Sequence, residues 1–229
     1  MPNSKLIKNL SNCYYLISIS IFICEVFKFK PLIYILNICM IINLMALYYF
    51  STQKRVFYYY LALSVSCLSI LFFIEKTNIR LFYGAICYSL YLFLDVFLVW
   101  KKVKKNTFWP IMIATIPFLF LSIYLIDLTQ DLLLDNFYPA IIIGLLISVL
   151  CGLSLYSFLF HEDRMSIWLI ISSILILIQI CAFLIQKYYV SNMVFEPLIA
   201  IIYTVSHYVF YKFMIANNEL VEDISLFIQ

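Results

Sequence analysis

The sequence predicts an all-α protein: a polytopic membrane helix bundle of eight transmembrane helices with both termini in the cytoplasm. Three observations predict it. Hydrophobic residues make up 66% of the 229 and charged residues 12%, whereas a soluble domain carries about a quarter charged residues. The apolar residues fall into long runs, and no connection between them exceeds roughly ten residues. Four of the fifteen Lys/Arg (Lys101, Lys102, Lys104 and Lys105) lie together in Trp100–Asn106, between two such runs, and a lysine-rich loop of that kind marks the cytoplasmic side.

The first ten residues, MPNSKLIKNL, are basic through Lys5 and Lys8, and an apolar run follows over 10–27. No small-residue cleavage site comes after it, so it reads as a retained helix rather than a signal peptide. A span needs about 20 apolar residues. On that measure the others are 31–50, 56–74, 79–100, 108–126, 137–160, 165–186 and 194–215, giving a single membrane-embedded domain over 1–229. Lys5, Lys8, Lys54, Arg55, the four lysines of 101–105, Arg164 and Lys212 fall on one side, and Lys28, Lys30, Lys76, Arg80 and Lys187 on the other. The excess places the termini in the cytoplasm and the acidic segment Asp127, Asp131, Asp135 outside, as a loop.

Four spans open on an aromatic residue shortly before proline: Phe29-Lys30-Pro31, Phe108-Trp109-Pro110, Phe137-Tyr138-Pro139 and Phe195-Glu196-Pro197. Proline suits the first turn, where its missing N–H has no helical partner anyway, and the aromatic suits the headgroup region. Pro117, inside the fifth helix, predicts a kink near Thr115 and Ile116. In the sixth helix Ala140, Gly144, Ser148 and Gly152 recur every four residues. Such a stripe lets another backbone approach closely and places that helix at the centre of the bundle; lining a lipid-shaped cleft is the other reading.

The net charge of +3 comes from loop lysines and carries no nucleic-acid signal. Seven cysteines lie in apolar runs without a C-x-x-C pair, so neither a disulfide nor a zinc site is expected. No cofactor or metal is expected, and membrane lipids are the expected partners. G-x-S-x-G, H-E-x-x-H and phosphate-binding glycine loops are absent, and His161-Glu162-Asp163-Arg164 reads as a solvated turn. The Ile, Lys, Asn, Tyr and Phe bias hints at an AT-rich genome and points to a bacterial inner membrane.

Charged side chains inside spans are few, and such groups mark interior faces or aqueous cavities. Asp95 suits either an ion pair with a lysine of 101–105 or the floor of a cavity. Glu25 and Lys28 suit an interfacial pair on one helix face. Lys30 and Glu196, both just before prolines, suit a cross-helix pair or a zwitterionic lipid headgroup. His207, flanked at one turn by Tyr203 and Tyr211, suits a helix–helix hydrogen bond or proton transfer. Gln179, Ser172, Ser173, Asn37 and Asn43 add neutral polar groups that would line a pocket or join helices.

Several short motifs then point to a family. Lys30-Pro31-Leu32 opens the second helix, Gly84 precedes Tyr88 in the fourth, Ile171-Ser172-Ser173 lies in the seventh, and Tyr203-Thr204-Val205-Ser206-His207 lies in the eighth. The set, with the eight-span layout, resembles the YhhN-type lysoplasmalogenases along nearly the whole chain. In that family the positions of Ser173, His207 and Leu92 are held by aspartate, glutamine and often histidine. The third helix, ALSVSCLSILFF over 62–73, lacks the carboxylate that the family carries there.

The resemblance implies cleavage of a lysoplasmalogen vinyl ether to an aldehyde and a glycerophospho-alcohol. That chemistry needs an acid to protonate carbon and a base to activate water, and Asp95 and His207 are the candidates for those roles. Without them the alternative is a non-catalytic lipid-binding or membrane-assembly protein. Scarce glycine, few ionisable residues and no pair of broken helices argue against a small transporter.

Overall fold

The computed structural model describes residues 4–75, 77–103, 108–161, 163–188 and 195–227, with the side chains of 131, 132, 134 and 217–227 left aside. Lys76, Lys104, Lys105, Asn106 and Glu162 lie outside the described residues. Eight α-helices follow one another: α1 (Ser4–Phe27), α2 (Lys30–Ser51), α3 (Phe57–Ile74), α4 (Asn78–Lys102), α5 (Phe108–Leu133), α6 (Phe137–Phe160), α7 (Arg164–Tyr188) and α8 (Phe195–Phe227), with a 3₁₀ turn at Leu134–Asn136 between α5 and α6. No strand occurs among the described residues. All eight are long and apolar enough to cross a membrane, as the runs of hydropathy predict.

Two ends differ from the sequence expectation. α5 continues to Leu133, so Asp127 lies on a helix and not in a loop; α8 continues well past 215. At about 1.5 Å per residue these helices are roughly 39 and 50 Å long, against about 30 Å of hydrocarbon. Charge ends the apolar window in both, but no glycine or proline ends the helix. α5 also stays helical through Pro117.

Packing follows a simple plan. α1, α2, α3, α4, α6, α7 and α8 form a closed ring, each against the next, with α8 returning to α1; α5 lies outside it against α6. The sixth helix therefore carries three partners, and the small-residue stripe receives α5. A Cβ on Gly152 would come within 2.8 Å of Thr115 Cα, and one on Gly144 within 3.3 Å of Ser122 Cβ. Between them Ser122 and Ser148 join their hydroxyls at 3.0 Å. Ala140 and Gly144, at the other end of the stripe, also line a cavity.

α1 and α8 are tied by the Tyr14 hydroxyl, which donates to the Thr204 carbonyl at 2.7 Å. α1 ends in a cap on Lys28, whose φ of 57° is left-handed. The N–H of Phe29 bonds the Cys24 carbonyl at 3.0 Å and that of Lys28 bonds the Glu25 carbonyl at 3.3 Å, the six-to-one and five-to-two pattern of a Schellman motif. Lys28 thus leaves the helical path of α1 at this cap.

Candidate functional site: a charged chamber over a hydroxyl–imidazole relay

The ring encloses space at the end where α1 and α7 finish and α2 and α8 begin. A chamber of about 400 Å³ opens there between α1, α2, α3, α7 and α8. Its rim carries charges of both signs, Glu25, Lys28, Lys30 and Glu196. Lys30 and Glu196, proposed from sequence, are thus brought to one mouth, and Glu196 also accepts from the Gln186 side-chain amide at 3.1 Å. The rim continues onto α3 and α4, where Glu75 pairs with Arg80 at 2.6 Å and accepts from the Tyr34 hydroxyl at 3.0 Å.

Below the rim the walls are apolar, with Ile33, Ile70 and Phe73 among them. Asn37, 3% exposed, adds an amide; its nitrogen donates to the Ile33 carbonyl at 2.9 Å. Tyr203 lies deepest along α8 among the lining residues, seven residues from Glu196 and so about 10 Å down.

Tyr203 connects the chamber to His207. The His207 ring lies with Nδ1 3.0 Å from the Tyr203 carbonyl and Nε2 2.7 Å from the Ser66 hydroxyl, which is in turn 2.9 Å from the Tyr203 hydroxyl. A carbonyl only accepts, so Nδ1 carries the proton and Nε2 of the neutral ring accepts from Ser66. Ser66 then accepts from Tyr203. The direction is therefore Tyr203 O–H to Ser66 O–H to His207 Nε2. All three side chains are buried. The arrangement suits a general base: a proton taken up by the Tyr203 oxygen is matched by transfer of its own proton to Ser66 and of the Ser66 proton to the imidazole.

Asp95 lies farther in. It is fully buried, and neither carboxyl oxygen has a hydrogen-bond partner among the described residues. Among the described residues the expected ion pair is not formed with Lys101 or Lys102, and Lys104 and Lys105 lie outside them. Lys102 instead donates to the Met214 carbonyl at 3.2 Å, and Lys101 sits over the Phe97 ring at 4.3 Å. Tyr59, Tyr88 and Tyr91 surround Asp95 as electrostatic neighbours, and their hydroxyls are also without partners. Tyr91 comes against the carboxyl outside hydrogen-bond geometry. Its other neighbour is His207, on which it stacks at 5.4 Å between ring centroids with 13° between planes. Asp95 and His207 thus flank one tyrosine in the core beneath the chamber, and neither lines the chamber itself.

A second cavity of about 120 Å³ lies across the ring, bounded by α3 to α8. It shares Ile70, Phe73, Phe183 and Ile199 with the chamber. α3 and α7 stand on opposite sides of the ring, and the Phe73 and Phe183 rings meet between them at 5.1 Å. Gln179 lines this cavity together with Tyr88. Of the other neutral groups flagged from sequence, Ser173 donates to the Leu169 carbonyl at 2.9 Å, whereas Ser172 and the Asn43 carbonyl oxygen have no partner. No group of three or more His, Cys, Asp or Glu able to hold a metal occurs among the described residues. Comparison of the chain with family models, curated proteins and solved structures finds no match in any of the three.

Proposed function

We propose that this protein binds a single-chain zwitterionic lipid in the charged chamber, the headgroup at the rim and the glycerol region above Tyr203. One observation carries the reading: Lys28 and Lys30 share a mouth with Glu25 and Glu196 above apolar walls. A cationic amine meets the carboxylates and a phosphate meets the ammonium groups, in a setting where charge is costly unless matched. By the charge bias of its loops, the chamber faces the side opposite the cytoplasm.

The Tyr203–Ser66–His207 relay supports a second reading, hydrolysis of the lipid's vinyl ether as the YhhN resemblance implies. A proton adds to the enol-ether carbon, and water adds to the carbon bearing the ether oxygen. The hemiacetal then collapses to aldehyde and glycerophospho-alcohol. The relay supplies the base that takes the water proton. The acid has no counterpart at the chamber floor among the described residues, since Asp95 lies beneath it. Binding is therefore the conclusion and hydrolysis the stronger claim built on it.

One experiment addresses both. The purified protein is titrated with a lysophosphatidylcholine and, separately, followed for aldehyde release from a lysoplasmalogen. Lys30→Ala and Glu196→Gln should each weaken binding about tenfold, a loss of roughly 1.4 kcal/mol. His207→Ala and Tyr203→Phe should leave binding intact and reduce any turnover by about 10²–10⁴. Binding without turnover supports the first reading alone. A wild-type protein that binds no lysolipid refutes both.

A further inference from the structure

We infer that the apolar cavity beyond Phe73 and Phe183 is the compartment for the lipid's hydrocarbon chain, and that its inner end sets a ceiling on chain length. The inference rests on the headgroup reading above and adds what that reading leaves open, the lipid's tail. Continuity comes first: chamber and cavity are separated by the side chains they share, Ile70, Phe73, Phe183 and Ile199. Phe73 and Phe183 meet across the ring at 5.1 Å between centroids with 51° between their planes, so rotation of these two side chains would join the spaces.

Size and depth come next. An apolar cavity of about 150 Å³ holds a benzene molecule. A volume of about 120 Å³ therefore takes roughly five carbons of chain. Along α6 the lining runs from Asn136 to Ile147, about 16 Å of descent, so the cavity receives the far part of a chain whose near part stays in the chamber.

The inner end carries two polar groups beside Ile147 and Leu177. Gln179 and Tyr88 are 8% and 7% exposed and line the cavity. The Gln179 side-chain carbonyl and the Tyr88 hydroxyl have no hydrogen-bond partner among the described residues. Gln179 lies nine residues before the end of α7 and Tyr88 ten residues into α4, so both stand about 14–15 Å below the rim. A terminal methyl pressed against them leaves an acceptor and a donor unmatched, where water would satisfy both. Nothing offsets that cost, because a chain leaving the bilayer leaves an equally apolar medium.

The test uses the whole protein in nanodiscs of one diacyl lipid, with lysophosphatidylcholines of increasing saturated chain length competing for the site. The wild type should show affinity that falls sharply past one length. Ala140→Phe, which fills the cavity from α6, should move that break about five carbons shorter. It should also weaken binding of the longest accepted chain about tenfold. Gln179→Leu should move the break to longer chains. Ile143→Phe fills the same space and serves if Ala140→Phe does not fold. Wild-type affinity independent of chain length, or one break shared by all variants, overturns the chain compartment; if Lys30→Ala still weakens binding in that case, the headgroup reading stands. Absence of any lysolipid binding overturns both.

Discussion

Replacing Gly152 with alanine tests the packing of α5 on the bundle at its tightest point. The added Cβ would lie 2.8 Å from Thr115 Cα, and a backbone atom in the middle of a helix cannot swing aside as a side-chain end can. Gly144 is the internal control, because its new Cβ would first meet the Ile126 Cδ1 at 3.0 Å, the end of a flexible side chain. Overpacking against backbone falls in the upper part of the usual range, about 2–3 kcal/mol, offset by about 1 kcal/mol from the better helix propensity of alanine. Gly152→Ala should therefore lose about 1–2 kcal/mol, and Gly144→Ala should stay within about 0.5 kcal/mol of the wild type. For a chain of this size 1 kcal/mol corresponds to about 2–4 °C, so the midpoints should fall by roughly 2–8 °C and by under 2 °C respectively. The free cysteines supply the readout, since Cys24 and Cys151 are buried and react with a fluorogenic maleimide only on unfolding. Thr115→Ala removes the hydroxyl that the new Cβ would meet first but leaves the Cα and Cβ contacts, so it should rescue Gly152→Ala only in part. A Gly152→Ala protein as stable as the wild type would refute the close approach, as would full rescue by Thr115→Ala.

Three other substitutions probe separate features. Asp95→Leu removes two unpartnered buried oxygens and should raise the thermal midpoint, by the equivalent of about 1–3 kcal/mol; a lowered midpoint would mean that the carboxyl has a partner in the membrane. Lys28→Gly relieves a left-handed residue at a helix cap and should stabilise by about 1 kcal/mol while weakening lysolipid binding, a combination measurable by melting and titration on one sample. In a double-mutant cycle of Ser66→Ala with Tyr203→Phe, the coupling should be about 0.6–1.7 kcal/mol in unfolding free energy, and additivity would show that the two hydroxyls do not meet.

The spans were legible because hydropathy reports what a helix of about 20 residues must be to cross a bilayer. Their ends were less so: charge near Asp127 marks the water boundary, and a helix crosses that boundary freely when no glycine or proline stops it. Lys30 and Glu196 were readable as a pair because both precede the proline that opens a span, which fixes their depth. Ser66 was not. Serines in membrane helices commonly bond their own backbone, as Ser18, Ser64 and Ser89 do four residues back, and nothing in ALSVSCLSILFF distinguishes the one that reaches across to His207. Of the lysines after Asp95, the two described ones were not readable either: sequence proximity suggested an ion pair, but Lys102 meets the Met214 carbonyl and Lys101 the Phe97 ring.

The relay beneath the chamber also has a closed shape. It starts at the phenol of Tyr203, passes through Ser66 to one nitrogen of His207, and returns from the other nitrogen to the carbonyl of Tyr203 itself. A peptide carbonyl holds a hydrogen bond but does not carry a proton onward. The circuit is therefore a store and not a wire: it can lend one proton's worth of capacity to whatever occupies the chamber and must recover it by the same door. In a circuit closed this way, a proton taken from the chamber returns to the chamber.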